Sequence, residues 1–227
     1  MNEIKILFER EHLEILGLTD AEPLPEEEEQ FNDWIRARYN GTMDYLRRHA
    51  GKKYRPRELL PGCNSIIFTG LSYFQPREEV PPGHGTVARY AWGRDYHKVL
   101  GKRLKRIAKN LREVFPGERF FSFVDTTPLA ERPFAARAGV GFIGRNTLLI
   151  RRGFGSWFVI GGIATTLGVD VSGLEPMRGG GATAQGGPDA GARPTPRSSA
   201  GGGRGRADRE SGARREASGD GGTGRAD

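Results

Sequence analysis

The sequence predicts an α/β domain, layered in the α+β sense, over residues 1–170, followed by a disordered low-complexity tail over residues 171–227. Two observations carry this. Apolar runs of strand length alternate with helical periods as far as Leu167, which argues for layered helices on a sheet. From Arg178 to Asp227 there is no Val, Ile, Leu, Met, Phe, Tyr, Trp, Cys or Lys, so that stretch has nothing with which to offset its ordering entropy.

Ile4, Leu7, Phe8, Leu13 and Ile15 recur at helical spacing and predict an opening amphipathic helix over 4–16 that ends near Gly17. The acidic run Glu26 to Glu29 reads as loop or helix start, most simply a solvated face, and Phe31 to Arg38 as a helix. Ser65 to Tyr73 is a buried-strand candidate between Pro61-Gly62 and Pro76. From His97 to Phe115, Leu100, Leu104, Ile107, Leu111 and Val114 share one helix face while seven cations from Lys98 to Arg112 crowd the rest. Phe120 to Val124 is a short strand ending on Asp125. Pro128 to Ala138 is a helix closed by Gly139, with Pro133 in its first turn or kinking it. Trp157 to Leu167 is the last strand.

Beyond about Asp170 the composition turns to Gly, Ala, Arg, Ser, Pro and Asp with no period. Arginine without lysine is what GC-rich DNA encodes in an unselected reading frame, which suggests a frameshifted gene end. An RNA-binding Arg/Gly tail is the competing account. The formal charge is +7, and the tail, with nine Arg against seven acids, supplies only +2 of it. The basic balance therefore belongs to the folded part and favours an anionic partner, nucleic acid being the commonest, or simply solubility. One cysteine, Cys63, excludes an intramolecular disulfide and any multi-thiolate metal site within the chain. Charges interrupt the apolar positions of Met1 to Leu16, so it reads as no signal peptide, and no apolar run approaches membrane-span length. A cytoplasmic monomer with no membrane contact is the expectation.

Gly139-Val140-Gly141-Phe142-Ile143-Gly144 matches the dinucleotide fingerprint literally. Its context is wrong, because a helix precedes it and a strand follows, the reverse of the fingerprint's strand and helix. Asp125 ends an apolar strand where α/β sheets commonly place ligands, and can be read as a proton donor or as the cap of the following helix. The run Arg89 to Lys98 concentrates aromatics, arginines and His97, suited to stacking on bases or a planar cofactor, or to packing a loop edge. The cations from Lys98 to Arg112 are a solvated helix face or a contact with a nucleic-acid backbone.

Taken in order, Ala88 to His97 (ARYAWGRDYH), Val124 to Arg132 (VDTTPLAER), Ala138 to Thr147 (AGVGFIGRNT) and Gly155 to Phe158 (GSWF) resemble the amino-terminal domain of the epoxyqueuosine reductases. Met43-Asp44-Tyr45-Leu46 and Leu59-Leu60-Pro61-Gly62 agree, and the resemblance covers roughly residues 1–170. It implies a cobalamin-binding catalytic domain that reduces epoxyqueuosine to queuosine in tRNA, with two [4Fe–4S] clusters completing the family's cofactors. It places the proton-donating aspartate on Asp125, and cobalamin contacts on Lys53, Ala88, Asp125, Leu149 and Ile160. Lys53 departs from the family's usual Arg.

Strongly reduced cobalt would act as electron donor or nucleophile at the epoxide carbon while Asp125 protonates the departing oxygen. A carboxylic acid donates at neutral pH only in a partly dry site, and Phe120, Phe121, Phe123 and Phe142 are the candidates to dry it. Tyr96, His97 and the basic helix would help hold the anionic substrate or cofactor.

The largest departure is the absence of the family's C-x-x-C-x-x-C-x-x-x-C-P run, where this chain reads Gly179 to Gly191 without a cysteine. Pro133, and the Gly161-Gly162 pair in the last strand, depart less. A non-catalytic cobalamin- or tRNA-binding remnant, and a flavin- or nicotinamide-dependent reductase, are the alternatives. An absorption spectrum separates them, pink with cobalamin or yellow with flavin. Since one cysteine cannot supply four thiolates, the purified monomer is expected to carry no iron–sulfur cluster. Stoichiometric iron and acid-labile sulfide would contradict this.

Overall fold

The computed structural model describes residues 1–76 and 83–169. The tail expected over 171–227 lies outside them. The sheet is assembled around strand β6 (Phe158–Thr165), which pairs antiparallel with β2 (Ser65–Ser72) on one side and with β3 (Phe120–Phe123) on the other. Strand β1 (Ile15–Asp20) adds antiparallel to β2, giving the order β1-β2-β6-β3. A second, two-stranded sheet joins β4 (Phe142–Ile143) to β5 (Leu149–Ile150). Of the layered arrangements open to the sequence, this is therefore α+β.

Alternation along the strands sends side chains to two cores. Leu18, Ile67, Ile163 and Phe120 face helices α1 (Asn2–Arg10) and α6 (Tyr96–Val114). Ile66, Phe68, Phe123 and Ala164 face the opposite layer. It contains α2 (Pro25–Arg36), the short helices α4 (Ala50–Lys53) and α5 (Pro56–Leu59), and α7 (Glu131–Arg137). The amphipathic period of α6 is realised as read: Leu100, Leu104, Ile107 and Leu111 are fully buried, each contributing about 1.5–3 kcal/mol of transfer free energy. Asp95 caps this helix by accepting from the His97 amide at 3.0 Å. A five-residue helix, α3 (Asp44–Arg48), precedes α4.

The opening helix is shorter than its period suggests. It stops at Arg10 because His12 takes a left-handed backbone, φ 54°, and the Leu13 amide reaches back to the Phe8 carbonyl at 3.0 Å. That is a glycine-type helix end made by a histidine, which the sequence does not advertise. Leu13 packs at the turn, and Ile15 opens β1 rather than closing α1. Gly17 is no helix terminator. It sits at an irregularity in the β1–β2 register, where an added Cβ would meet the Ala138 carbonyl and lie 2.8 Å from Val140.

Helix α7 begins at Glu131, later than the predicted Pro128, so Pro133 falls in its first turn, where the ring is tolerated. Gly139, at φ 77°, closes it. The Gly-x-Gly-x-x-Gly run thus spans a helix end and a β-hairpin, not a strand-to-helix turn.

Gly161 and Gly162 are a packing requirement of the central strand. A Cβ on Gly162 would collide with the Ile67 carbonyl and lie 2.7 Å from the Phe123 ring; one on Gly161 would lie 2.9 Å from the Phe123 carbonyl. Gly162→Ala is expected to destabilise the fold by about 1–3 kcal/mol through overpacking between β2 and β3. The measurement is the urea midpoint at unchanged m-value, and an unshifted midpoint would contradict the packing account.

Candidate active site

A cavity of about 530 Å³ opens where the ends of β2 and β3 meet the start of β6, with α4, α6, α7 and the β4–β5 hairpin around it. Its apolar lining is Leu129, Ala130, Ile143, Leu148, Leu149, Phe158, Val159 and Ile160. Its polar lining includes Lys53, Tyr73, Tyr96, Asp125, Glu131 and Arg132. Four of the five residues on which the family resemblance set cofactor contacts, Lys53, Asp125, Leu149 and Ile160, therefore share one opening. Ala88 does not line it; that residue caps the 3₁₀ turn Arg89–Ala91.

Asp125 follows β3 in a left-handed backbone, φ 51°. It caps no helix: α7 starts six residues later, its N-cap is Ala130, and no side chain caps it. The Tyr96 hydroxyl donates to Asp125 Oδ2 at 2.8 Å, and His97 Nε2 stands 3.6 Å from the same oxygen. The His97 ring stacks on Tyr96 with centroids 4.0 Å apart. Burial, and then the hydrogen bond to Asp125, push the Tyr96 phenol above its ordinary range, so it stays a donor.

Glu131, unmarked by the sequence beyond its place in the VDTTPLAER run, is the second acid of the site. Its Oε1 accepts the Asp125 amide proton at 2.7 Å. The carboxyl is surrounded by protein and pushed up to about 8, chiefly by burial and further by the charge of Asp125, against the pull of that amide and of Lys53. Glu131 thus holds a proton at neutral pH. Burial, and then the neighbouring Arg132, push the Lys53 ammonium down. Lys53 Nζ lies over the Phe31 ring at 5.3 Å. Burial also raises the Tyr54 phenol to about 12.

The phenylalanines expected to dry Asp125 do not do so. Phe120 and Phe123 point into the two cores, while Phe121 and Phe142 are exposed and none of the four lines the cavity. The Asp125 side chain is 67% exposed. Apolar contact in the cavity comes instead from Leu129, Leu149, Phe158 and Ile160.

The cations of α6 are also partly committed. Arg106 pairs with Glu11 in two bonds of 2.8 and 2.5 Å, Arg103 reaches the His12 carbonyl, and Arg112 the Phe120 carbonyl at 2.6 Å. Those arginines tie the helix to α1 and β3 rather than standing as a free basic face. Next to the cavity, the Arg89 guanidinium lies over Trp157 at 4.7 Å and Phe74 at 5.5 Å, and Tyr90 touches both Tyr73 and Tyr96 edge-on. Phe74, Tyr90 and Trp157 are exposed, so a planar, polarisable surface adjoins the opening.

Residues 53–126 match a family model described as "Epoxyqueuosine reductase QueG, DUF1730", a segment that runs from Lys53 through Asp125. An epoxyqueuosine reductase of Gloeobacter violaceus is 40% identical over 162 residues, 71% of this chain and 50% of the relative. That of Escherichia coli K12 is 36% identical over 161 residues, 69% of this chain and 42% of the relative. This chain is an epoxyqueuosine reductase relative. It spans about half the length of the curated epoxyqueuosine reductases it matches. Its fold superposes on the epoxyqueuosine reductase of Streptococcus thermophilus with a TM-score of 0.63 at 26% identity, covering 75% of this chain and 46% of that one. It superposes comparably, with a TM-score of 0.62 at 25% identity and the same coverage, on an epoxyqueuosine reductase solved with an epoxyqueuosine-modified tRNA-Tyr stem loop. Among the described residues no helix is long and apolar enough to cross a membrane, and no group of three or more His, Cys, Asp or Glu could hold a metal ion.

Glu131 makes the stability of this epoxyqueuosine reductase relative pH-dependent. Its folded pKa of about 8 lies above its ordinary 4.5, so the folded state binds more protons between those values. The associated stability is complete below 4.5 and is lost as pH rises through 8. The expected loss is on the order of 2 kcal/mol, since residual solvent contact screens the ionised group. Glu131→Gln should flatten the decline of the melting midpoint across that interval. An equally steep decline in the variant would refute the assignment.

Proposed function

We propose that residues 1–170 form a cobalamin-binding catalytic domain that reduces epoxyqueuosine to queuosine in tRNA, an oxidoreductase step of tRNA modification in the cytoplasm, carried by a monomer. The observation that supports it best is the convergence of Lys53, Asp125, Leu149 and Ile160 on one cavity whose acids and phenol are linked by hydrogen bonds. The tRNA stem loop held by a structural relative supports tRNA as the partner.

The cavity is too small to enclose a corrin with its nucleotide tail, but its mixed lining suits one face of such a ring. Leu149, Ile160 and Phe158 would supply apolar contact, and Lys53 and Arg132 would meet polar edge groups. Bound there, cobalamin would supply low-potential electrons for opening the epoxide.

The chain's own residues then have distinct tasks. Asp125 faces the reacting centre and hands a proton to the departing oxygen. Tyr96 donates to Asp125 Oδ2 and fixes the carboxyl rotamer, and His97 backs Tyr96. Glu131 keeps a proton at neutral pH beside Asp125. The family's [4Fe–4S] clusters would need cysteine ligands besides the single Cys63 of this sequence.

Two measurements test this reading. Cobalamin added to the chain should shift its absorption bands with saturation, whereas a yellow protein that ignores cobalamin would favour a flavin. In a chain extended with a relative's cysteine-rich region, Asp125→Asn should leave cobalamin affinity within about twofold and lower epoxide reduction about 10²–10⁴-fold, the usual worth of a general acid. Near-normal turnover of that variant would end the assignment of Asp125.

A further inference from the structure

We propose that Glu131 is the positioning residue of the Asp125 loop: its carboxyl group holds the Asp125 backbone amide and thereby sets where the Asp125 side chain projects into the cavity. The functional consequence rests on the reading of Asp125 as the acid of the site; the hold itself does not.

The backbone gives the first reason. Asp125 occupies the left-handed region, which an aspartate adopts only at a cost and keeps only when its surroundings over-determine it. The next amide, Thr126 N–H, folds back onto the Val124 carbonyl at 2.5 Å, so the chain turns sharply at Asp125. At that turn the Asp125 N–H finds its acceptor in Glu131 Oε1 at 2.7 Å. Glu131 is well placed to be rigid. It is the first residue of α7, whose Phe134 and Ala135 are fully buried, and the preceding Ala130 amide is pinned to the Lys53 carbonyl at 2.8 Å. The hold therefore links the end of β3 to α4 and α7 across six residues of loop.

The charges around Glu131 come from four elements. Lys53 lies on α4, Tyr96 on α6, Arg132 on α7 and Asp125 on the loop. Burial first, and the charge of Asp125 after it, keep the proton on Glu131. Neutral Glu131 accepts the amide without repelling the Asp125 carboxylate. Ionised Glu131 accepts it more strongly but sets its negative charge beside that of Asp125. The hydrogen bond is present in both forms and changes in strength as Glu131 ionises.

Amide spectra of the isotope-labelled chain, followed against pH, test this without substrate or cofactor. The Asp125 amide proton is expected to move downfield in a step centred near 8 as Glu131 ionises. Glu131→Gln, which keeps an accepting oxygen but cannot ionise, should abolish the step and preserve slow exchange of that amide. Glu131→Ala should accelerate the exchange about tenfold, the equivalent of one lost hydrogen bond. The proposal is overturned by a wild-type amide with no such step, by a step that survives in Glu131→Gln, or by unchanged exchange in Glu131→Ala. A hold that passes these tests while Asp125→Asn retains turnover would overturn the catalytic reading alone.

Discussion

Strand β6 is the element on which the site depends. It alone pairs with both β2 and β3, and it approaches both closely enough that Gly161 and Gly162 leave no room for a side chain. The pairing of Phe123 with Gly162 fixes the end of β3 beside Ile160, and the pairing of Ser72 with Phe158 fixes the end of β2 beside the same wall. Asp125, Tyr73, Phe158 and Ile160 reach a common cavity because three antiparallel strands are held in register at that point. Loss of that register by one residue would turn the alternating side chains to the wrong layer. The glycine pair is thus a packing solution and not a weakened strand.

Most of the framework was legible in the residues. The helical period of α6, the apolar runs of β2 and β6, and the closure of α7 at Gly139 lie within a residue or two of their expected places. Strand β1 was not legible, because its apolar residues continue the period of α1 and the helix is stopped by His12 in a conformation normally signalled by glycine. Nor could the sequence show that the sheet is wholly antiparallel. The argument that an acid at a strand end sits at a ligand site belongs to parallel sheets. Asp125 does line the cavity, for a different reason: the β3–α7 loop turns at that residue.

The candidate site was legible only in part. Local spacing could not separate a helix cap from a proton donor at Asp125, since its carboxylate stands both at a strand end and just before a predicted helix. The start of α7 at Glu131, six residues on, removes the cap reading. Glu131 itself gave no local signal, because its character arises from burial and from Asp125 and Lys53, which the fold brings to it. The cations of α6 are mostly exposed, as a solvated face requires. A run of cations reads as one basic face, yet Glu11 and the Phe120 carbonyl consume part of it in joining the helix to its neighbours.

The two acids of the cavity differ in the two properties that proton donation would require. A carboxyl that delivers a proton must reach the reacting atom, and a carboxyl that keeps a proton at neutral pH must be shielded from water. Asp125 has reach but is two-thirds exposed, while Glu131 is shielded but spends one oxygen on the Asp125 amide. Neither alone satisfies both conditions. A ligand seated against Leu149 and Ile160 would cover the Asp125 side chain and strip its water, raising the cost of its charge as burial already does for Glu131. On the proposed reading of Asp125 as the donor, occupation of the cavity supplies the drying that the open site lacks. The exposure of Asp125 and the fixed turn of its loop are compatible with that proposal, because the ligand, and not the protein alone, would then complete the wall around the carboxyl.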